Sequence, residues 1–161
     1  MDAVRDMIKN TLQSDSVATV GLRALMNQST SPYGIHHYNL TVTLADDLAF
    51  SSGKRYITYF QITGVYDTSM PRNNFSTMAK QETYQLTVWN GDDTVSCDKL
   101  IDRIKYLLEG KHRTTNPTTE AMVFNIKCEW EGPTAWDDDF LIFTKSVRFR
   151  VWIQDCTIVG D

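Results

Sequence analysis

Long apolar runs are scarce in this chain of 161 residues. No run is longer than Phe140–Phe143, which is far too short to span a bilayer. The first nine residues mix charges with apolar side chains and lack the continuous apolar segment of a signal peptide. We therefore predict that the chain is neither exported nor anchored in a membrane.

Metal-binding residues are also few and scattered. The only cysteines and histidines are Cys97, Cys128, Cys156, His36, His37 and His112. An odd number of widely spaced cysteines is typical of reduced thiols in a cytosol. A tetrahedral metal site needs closely spaced pairs of ligands, and no acid or nucleophile motif accompanies the adjacent histidines. We predict no metal and no cofactor.

Catalytic motifs are missing too: there is no Gly-x-Ser-x-Gly, no phosphate-binding glycine loop and no His-Glu-x-x-His. Paired carboxylates occur at Asp46-Asp47, Asp92-Asp93 and 137–139, but carboxylates in predicted loops are usually solvated. A metal-dependent nuclease would need an acid two residues before the strand lysine Lys127, and Asn125 stands there. The sequence therefore favours a protein that is not an enzyme.

The formal net charge is −4 and the isoelectric point is near 5.3. This balance argues against a protein whose whole surface grips nucleic acid, and it suits a lumen through which DNA slides. A chain of this length buries enough surface for one core, so we predict a single domain over residues 1–161.

A strand that turns into an amphipathic helix dominates the pattern. Apolar and polar residues alternate over Glu82–Trp89, Asn90-Gly91 can turn, and Asp92, Asp93 or Thr94 can cap a helix that begins near Thr94. Gly110 is placed to end it in a left-handed conformation. The apolar side of the helix consists of Cys97, Leu100, Ile101, Ile104, Leu107 and Leu108.

The remaining elements complete an α+β domain. They are an opening helix over residues 2–26 with a break at Ser14–Ser16, and strands at His36–Leu44, Tyr56–Tyr66, Met122–Trp130 and Phe143–Ile153. Gly64 indicates a bulge or a close approach. We predict a mainly antiparallel sheet of four to five strands with helices packed on one face, and an antiparallel pairing of the last two strands.

One side of the last strand is a candidate for subunit contacts. Arg148, Arg150 and Trp152 alternate with Val147, Phe149, Val151 and Ile153, which places them on the sheet face opposite the helices. Arginine and tryptophan are favoured anchors in protein interfaces. The alternative is a solvated outer face.

Two loops are candidates for partner contacts. The aperiodic segment Asp67–Ala79 carries Met70, Phe75 and Met78 amid polar residues, and long loops of this kind are usually functional or disordered. We predict that it orders on docking, the alternative being a plain connection between strands. A second loop carries the acidic run Asp137, Asp138 and Asp139, which we expect to line a negative lumen.

The chain resembles the tail terminator, or tail completion, proteins of long-tailed double-stranded DNA bacteriophages. The resemblance lies in the opening helix, the strand Tyr56–Tyr66, the strand Thr83–Trp89 that passes directly into the helix Thr94–Glu109, and the closing strand Phe143–Ile153. It is a likeness of pattern over most of the chain rather than of one motif.

The resemblance implies a structural virion protein without catalytic residues. It implies a homo-oligomeric ring, a hexamer in the family, at the head-proximal end of the tail tube, where the ring stops tube growth and offers a surface for head-tail joining. The implied partners are the tail tube protein, a head connector or head completion protein, and genomic DNA that passes without specific binding. The implied location is the virion, with assembly in the host cytoplasm. Alternatives are another neck or tail component, such as a head completion or minor tail protein, or an orphan hydrolytic enzyme.

Overall fold

The computed structural model describes residues 3–28, 30–37, 55–66, 78–91, 96–110, 113–114, 121–138 and 142–155. The helices are α1 (Ala3–Gln13), α2 (Leu22–Leu25) and α3 (Cys97–Leu108). The strands are β1 (Ile35–His37), β2 (Arg55–Tyr66), β3 (Met78–Asn90), β4 (Arg113–Thr114), β5 (Ala121–Glu131), β6 (Ala135–Asp137) and β7 (Ile142–Asp155). Within these ranges, none of the helices is long and apolar enough to cross a membrane.

The strands form one sheet in the order β1-β2-β3-β7-β5-β4, and β6 pairs with the first residues of β7. β1 runs parallel to β2, and the other described pairs are antiparallel. Four strands have 11 to 14 residues and three have only 2 or 3. The predicted α+β class with a mainly antiparallel sheet is confirmed, and so is the pairing of the last two long strands.

α3 packs on the sheet through its apolar side. It contacts β3, β5 and β7, and its buried residues are Cys97, Leu100, Ile101, Ile104 and Leu108. They join a core that includes Tyr84, Leu86, Val88, Val147, Phe149 and Val151. Leu107, predicted to share this side, is only partly buried at the edge of the core. Removal of these side chains from water is the main force that holds α3 in place.

The start of α3 differs from its prediction, and the end of α3 agrees with it. The predicted start near Thr94 is wrong, because Ser96 is the N-cap: its backbone is extended and its hydroxyl accepts the Lys99 N–H at 3.3 Å. Residues 92–95 lie outside the described ranges. At the other end Gly110 has the predicted positive φ of 70°, and its N–H donates to the Ile126 carbonyl at 2.9 Å. That bond ties the end of α3 to β5.

The predicted break after the first helix is present, and Asp15 explains it. The Asp15 carboxylate turns inward, where it accepts the Leu22 N–H at 2.7 Å and two bonds from the Arg103 guanidinium at 2.8 Å each. Burial opposes its ionisation, but these hydrogen bonds and the charge of Arg103 outweigh that effect and lower the pKa of Asp15. The loop between α1 and α2 is thereby joined to α3.

β5 is a strand as predicted, and its predicted facing holds over residues 125–129 but is wrong on either side of them. The sequence alternation places Met122, Phe124, Ile126, Cys128 and Trp130 on one side. In the structure the register with β7 shifts between Val123 and Asn125 and again between Cys128 and Trp130. Each shift inserts one extra residue, which reverses the side on which later residues fall. Val123, before the first shift, therefore lies on the same buried side as Ile126, whereas Trp130, after the second shift, is 42% exposed on the other face.

Two further boundaries differ from the predictions. β3 begins at Met78, which pairs with Asp155, so Met78 and Ala79 lie in a strand and not in the predicted loop. In β2 the register shift falls between Gln61 and Thr63, so the extra residue is Ile62 rather than Gly64. The rest of the predicted first strand, residues 38–44, lies outside the described ranges.

Candidate functional site on the outer face of the sheet

β7 presents two chemically different sides. Val147, Phe149, Val151 and Ile153 are buried beneath the helices, and the alternating side chains project from the opposite side. We call that side the outer face. It is defined by Thr83, Gln85, Asn125, Lys127, Glu129, Trp130, Arg148, Arg150 and Trp152.

Arg148 is held in a fixed orientation at the centre of this face. Its Nε donates to Oε1 of Gln85 at 3.0 Å, and its guanidinium carbon lies 4.6 Å from the centroid of the Trp130 ring. A Cβ at Gly132 would lie 2.5 Å from the Trp130 indole, so a side chain there would displace it. Gly132 therefore helps to keep the tryptophan where Arg148 can stack on it.

Arg150 is more exposed and less constrained. Its Nη2 lies 2.7 Å from Glu129 Oε2, and its guanidinium carbon lies 6.0 Å from the centroid of the Trp152 ring. The side chains of Arg150 and Glu129 are 45% and 27% exposed. An ion pair this open to water contributes on the order of 0–1 kcal/mol to folding. Both partners can therefore exchange it for contacts with another molecule at little cost.

Among the described residues, much of this side of the sheet is buried near the start of β7. Towards the start of β7 the same side carries Tyr56, Thr58, Thr87 and Trp89, all of which are buried. There the Trp89 Nε1–H donates to the Thr58 hydroxyl at 2.9 Å. The surface available for a partner is therefore the region around Arg148, Arg150 and Trp152.

The structure brings together only some of the predicted site residues. Arg148, Arg150 and Trp152 share the outer face. Asp137 is half-buried at the end of β6 opposite Ile142, and Asp138 is exposed in the following turn. Eight residues of strand, roughly 26 Å, separate Ile142 from Arg150, so the acidic turn lies far from the arginines. Met70, Phe75 and Asp139 lie outside the described residues.

Four contributors to the outer face were missed by reading the sequence: Gln85, Lys127, Glu129 and Trp130. Gln85 was on the polar side of a predicted strand, and only the pairing of β3 with β7 sets it against Arg148. Glu129 lies on the same side as Lys127 by alternation, and Trp130 reaches this face because of the second bulge in β5. A bulge of this kind has no signal in the alternation of the sequence.

Burial shifts the pKa values of two cysteines and one histidine towards their neutral forms. Burial raises the pKa of the Cys97 and Cys128 thiols, so neither is a thiolate at neutral pH. Burial lowers the pKa of His36, whose ring lies 6.0 Å from that of Tyr56. Among the described residues there is no group of three or more His, Cys, Asp or Glu side chains that could hold a metal ion.

The chain matches no protein-family model and no curated protein sequence. Among solved structures, it is similar to a chain of the structure described as the virion of a native gene transfer agent particle. The TM-score is 0.58, the sequence identity is 11%, and the match covers 91% of each chain. The likeness is one of fold. At this identity it transfers no residue roles, and it shows that nearly the whole α+β domain has a counterpart in that virion chain.

Proposed function

We propose that this chain is a structural protein of a phage-like virion, and that it acts as a tail terminator. In this proposal it forms a ring at the head-proximal end of the tail tube, ends tube polymerisation and offers the surface for head-tail joining. The observation that carries the proposal is the fold shared with a virion chain over 91% of both chains. The order of strands and helices that resembles the tail terminators supports the more specific role.

The outer face provides a surface suited to subunit contacts. It combines exposed tryptophan with two arginines, and these residue types dominate the binding energy of protein interfaces. Arg148 is already oriented by Gln85 and Trp130, so little conformational freedom is lost when a partner binds to it.

The other proposed contacts follow from the sequence. Met70 and Phe75 would dock on the tail tube protein or on the head connector, while 137–139 would face the lumen. A negative lumen would repel the DNA backbone and let genomic DNA pass without binding. The formal net charge of −4 supports this part of the proposal.

Electron microscopy of particles assembled without this chain tests the function. We expect filled heads beside unjoined tails of irregular or excessive length, because nothing ends tube growth. Supplying the intact chain in trans is the control and should restore joined virions. Unjoined tails of normal length would instead assign the chain to a head completion role, and normal joined virions would refute a structural role at this junction.

A further inference from the structure

The domain exposes a second charged surface on the side of α3 that faces away from the sheet. Its exposed residues are Asp98, Lys99, Asp102, Tyr106 and Glu109. We call them the α3 surface. Tyr106 lies in the middle and is 67% exposed, although large aromatic side chains are usually buried. The α3 surface therefore carries three carboxylates, one ammonium group and one prominent aromatic ring.

Asp98 is ion-paired with Lys145 of β7, but the nearby cations of α3 are engaged elsewhere, so Asp102 and Glu109 have no ion-pair partner among the described residues. Arg103 is held by Asp15, and Lys105 donates to Glu131 at 3.1 Å. Asp102 forms no ion pair with any described residue. It is a carboxylate available to a partner.

The outer face of the sheet has the opposite character. Its described charged residues are three cations and one carboxylate: Lys127, Arg148, Arg150 and Glu129. Lys127 is exposed and makes no ion pair with any described residue. It is therefore a cation available to a partner, as Asp102 is an available carboxylate. The two surfaces lie on opposite sides of a two-layer domain, since α3 covers the side of the sheet that bears Val147 and Phe149.

We propose that the outer face binds the α3 surface of a second copy of this chain. The basic, tryptophan-bearing face would receive the acidic surface, and Tyr106 would pack against Trp130 or Trp152 beside the arginines. The inference rests on the proposed function, and it names the two surfaces that meet in the ring. Pairing of two outer faces with each other would set arginines against arginines, which charge repulsion opposes.

Because the two surfaces differ, each copy can bind one neighbour at its front and another at its back. Such head-to-tail contacts repeat, and they form a closed ring when the rotation between copies divides a full turn. The same geometry predicts how charge reversals should behave, since each contact combines the outer face of one copy with the α3 surface of the next.

The test uses Lys127→Glu and Asp102→Lys in the full chain, with native mass spectrometry and sedimentation to measure assembly. Neither residue has an ion-pair partner within the described subunit, so both variants should fold normally, which circular dichroism checks. We expect each variant alone to associate at least about tenfold more weakly than the unmodified chain, because like charges then meet at every contact. The double variant should regain association.

An equimolar mixture of the two single variants gives the sharpest result. Every contact in an alternating assembly pairs opposite charges again, so the mixture should form oligomers, with an even number of subunits, that neither variant forms alone. Lys9→Glu on α1, an exposed reversal outside both surfaces, should leave assembly unchanged.

The outcomes separate the two proposals. Rings that are unaffected by either reversal, or reversals that no mixture or double variant rescues, would overturn the choice of surfaces while leaving the ring in place. A chain that stays monomeric both in solution and in purified particles would overturn the ring itself, and this inference with it.

Discussion

Replacing Asp15 by asparagine removes a negative charge from the junction between α3 and the loop that joins α1 to α2, while it preserves the shape of the side chain. The Asp15 side chain is 2% exposed and that of Arg103 is 17% exposed. Removing one partner of a buried ion pair costs roughly 3–5 kcal/mol. Arg103 retains some access to water, so we expect Asp15→Asn to lower the free energy of unfolding by about 3 kcal/mol. For a chain of this size that corresponds to a melting temperature lower by roughly 6–12 °C.

The effect should depend on pH in a defined direction. The pKa of Asp15 is lower in the folded protein than its ordinary value of 3.8. Its stabilisation is therefore fully present above about pH 4–5 and is lost as the pH falls through the folded-state pKa. The asparagine variant lacks this ionisation, so the stability difference between the two proteins should shrink in acid.

Urea denaturation at pH 7 and at successively lower pH measures both quantities. Asp102→Asn is the matched control, because it removes an exposed aspartate from α3, the helix that carries Arg103, and should change stability by less than about 0.5 kcal/mol. A double-mutant cycle with Arg103→Met isolates the pair itself. Two results would refute the assignment of Asp15 as the buried, ionised partner of Arg103. One is a loss in the free energy of unfolding below about 1 kcal/mol, and the other is a stability difference between the two proteins that does not vary with pH.

Two further predictions concern residues near the C-terminal end of α3. The Glu131 carboxylate accepts hydrogen bonds from Lys145 at 3.0 Å and from Lys105 at 3.1 Å, and these bonds lower the pKa of Glu131. Glu131→Gln should therefore lower the free energy of unfolding by about 1–2 kcal/mol at neutral pH. The loss should become smaller as the pH falls through the folded-state pKa of Glu131. Equal urea midpoints at pH 7 would contradict this. Gly110→Ala should lower the free energy of unfolding by about 1–2 kcal/mol, because φ at this position is +70°. The cost comes from the backbone conformation alone, since no atom lies within 4 Å of the new Cβ. An unchanged melting temperature would show that the turn relaxes freely.

Local patterns in the sequence were enough to predict the long strands, the main helix and the class of the fold. Alternation predicted β3 and β7 with their buried sides, and the spacing of Leu100, Ile101, Ile104 and Leu108 predicted the buried side of α3. These predictions succeed because the side chains of a strand repeat every two residues and those of a helix every 3.6. The left-handed Gly110 followed in the same way, since glycine bears no Cβ to oppose that conformation.

The candidate site depended on contacts between distant residues, which local patterns do not encode. The sequence placed Arg148, Arg150 and Trp152 on one side of a strand, and the pairing of β3 and β5 with β7 supplied Gln85, Glu129 and Trp130 as their neighbours. Two bulges in β5 changed the sides of Val123 and Trp130 relative to Ile126, because one extra residue changes the phase of the residues after it. The N-cap of α3 is Ser96, which was not among the predicted candidates, and packing brings Asp15 onto Arg103, 88 residues away. The sequence by itself thus determined which residues are apolar and with what period, and only the tertiary structure decided which polar side chains meet, because that choice depends on register and packing across the sheet.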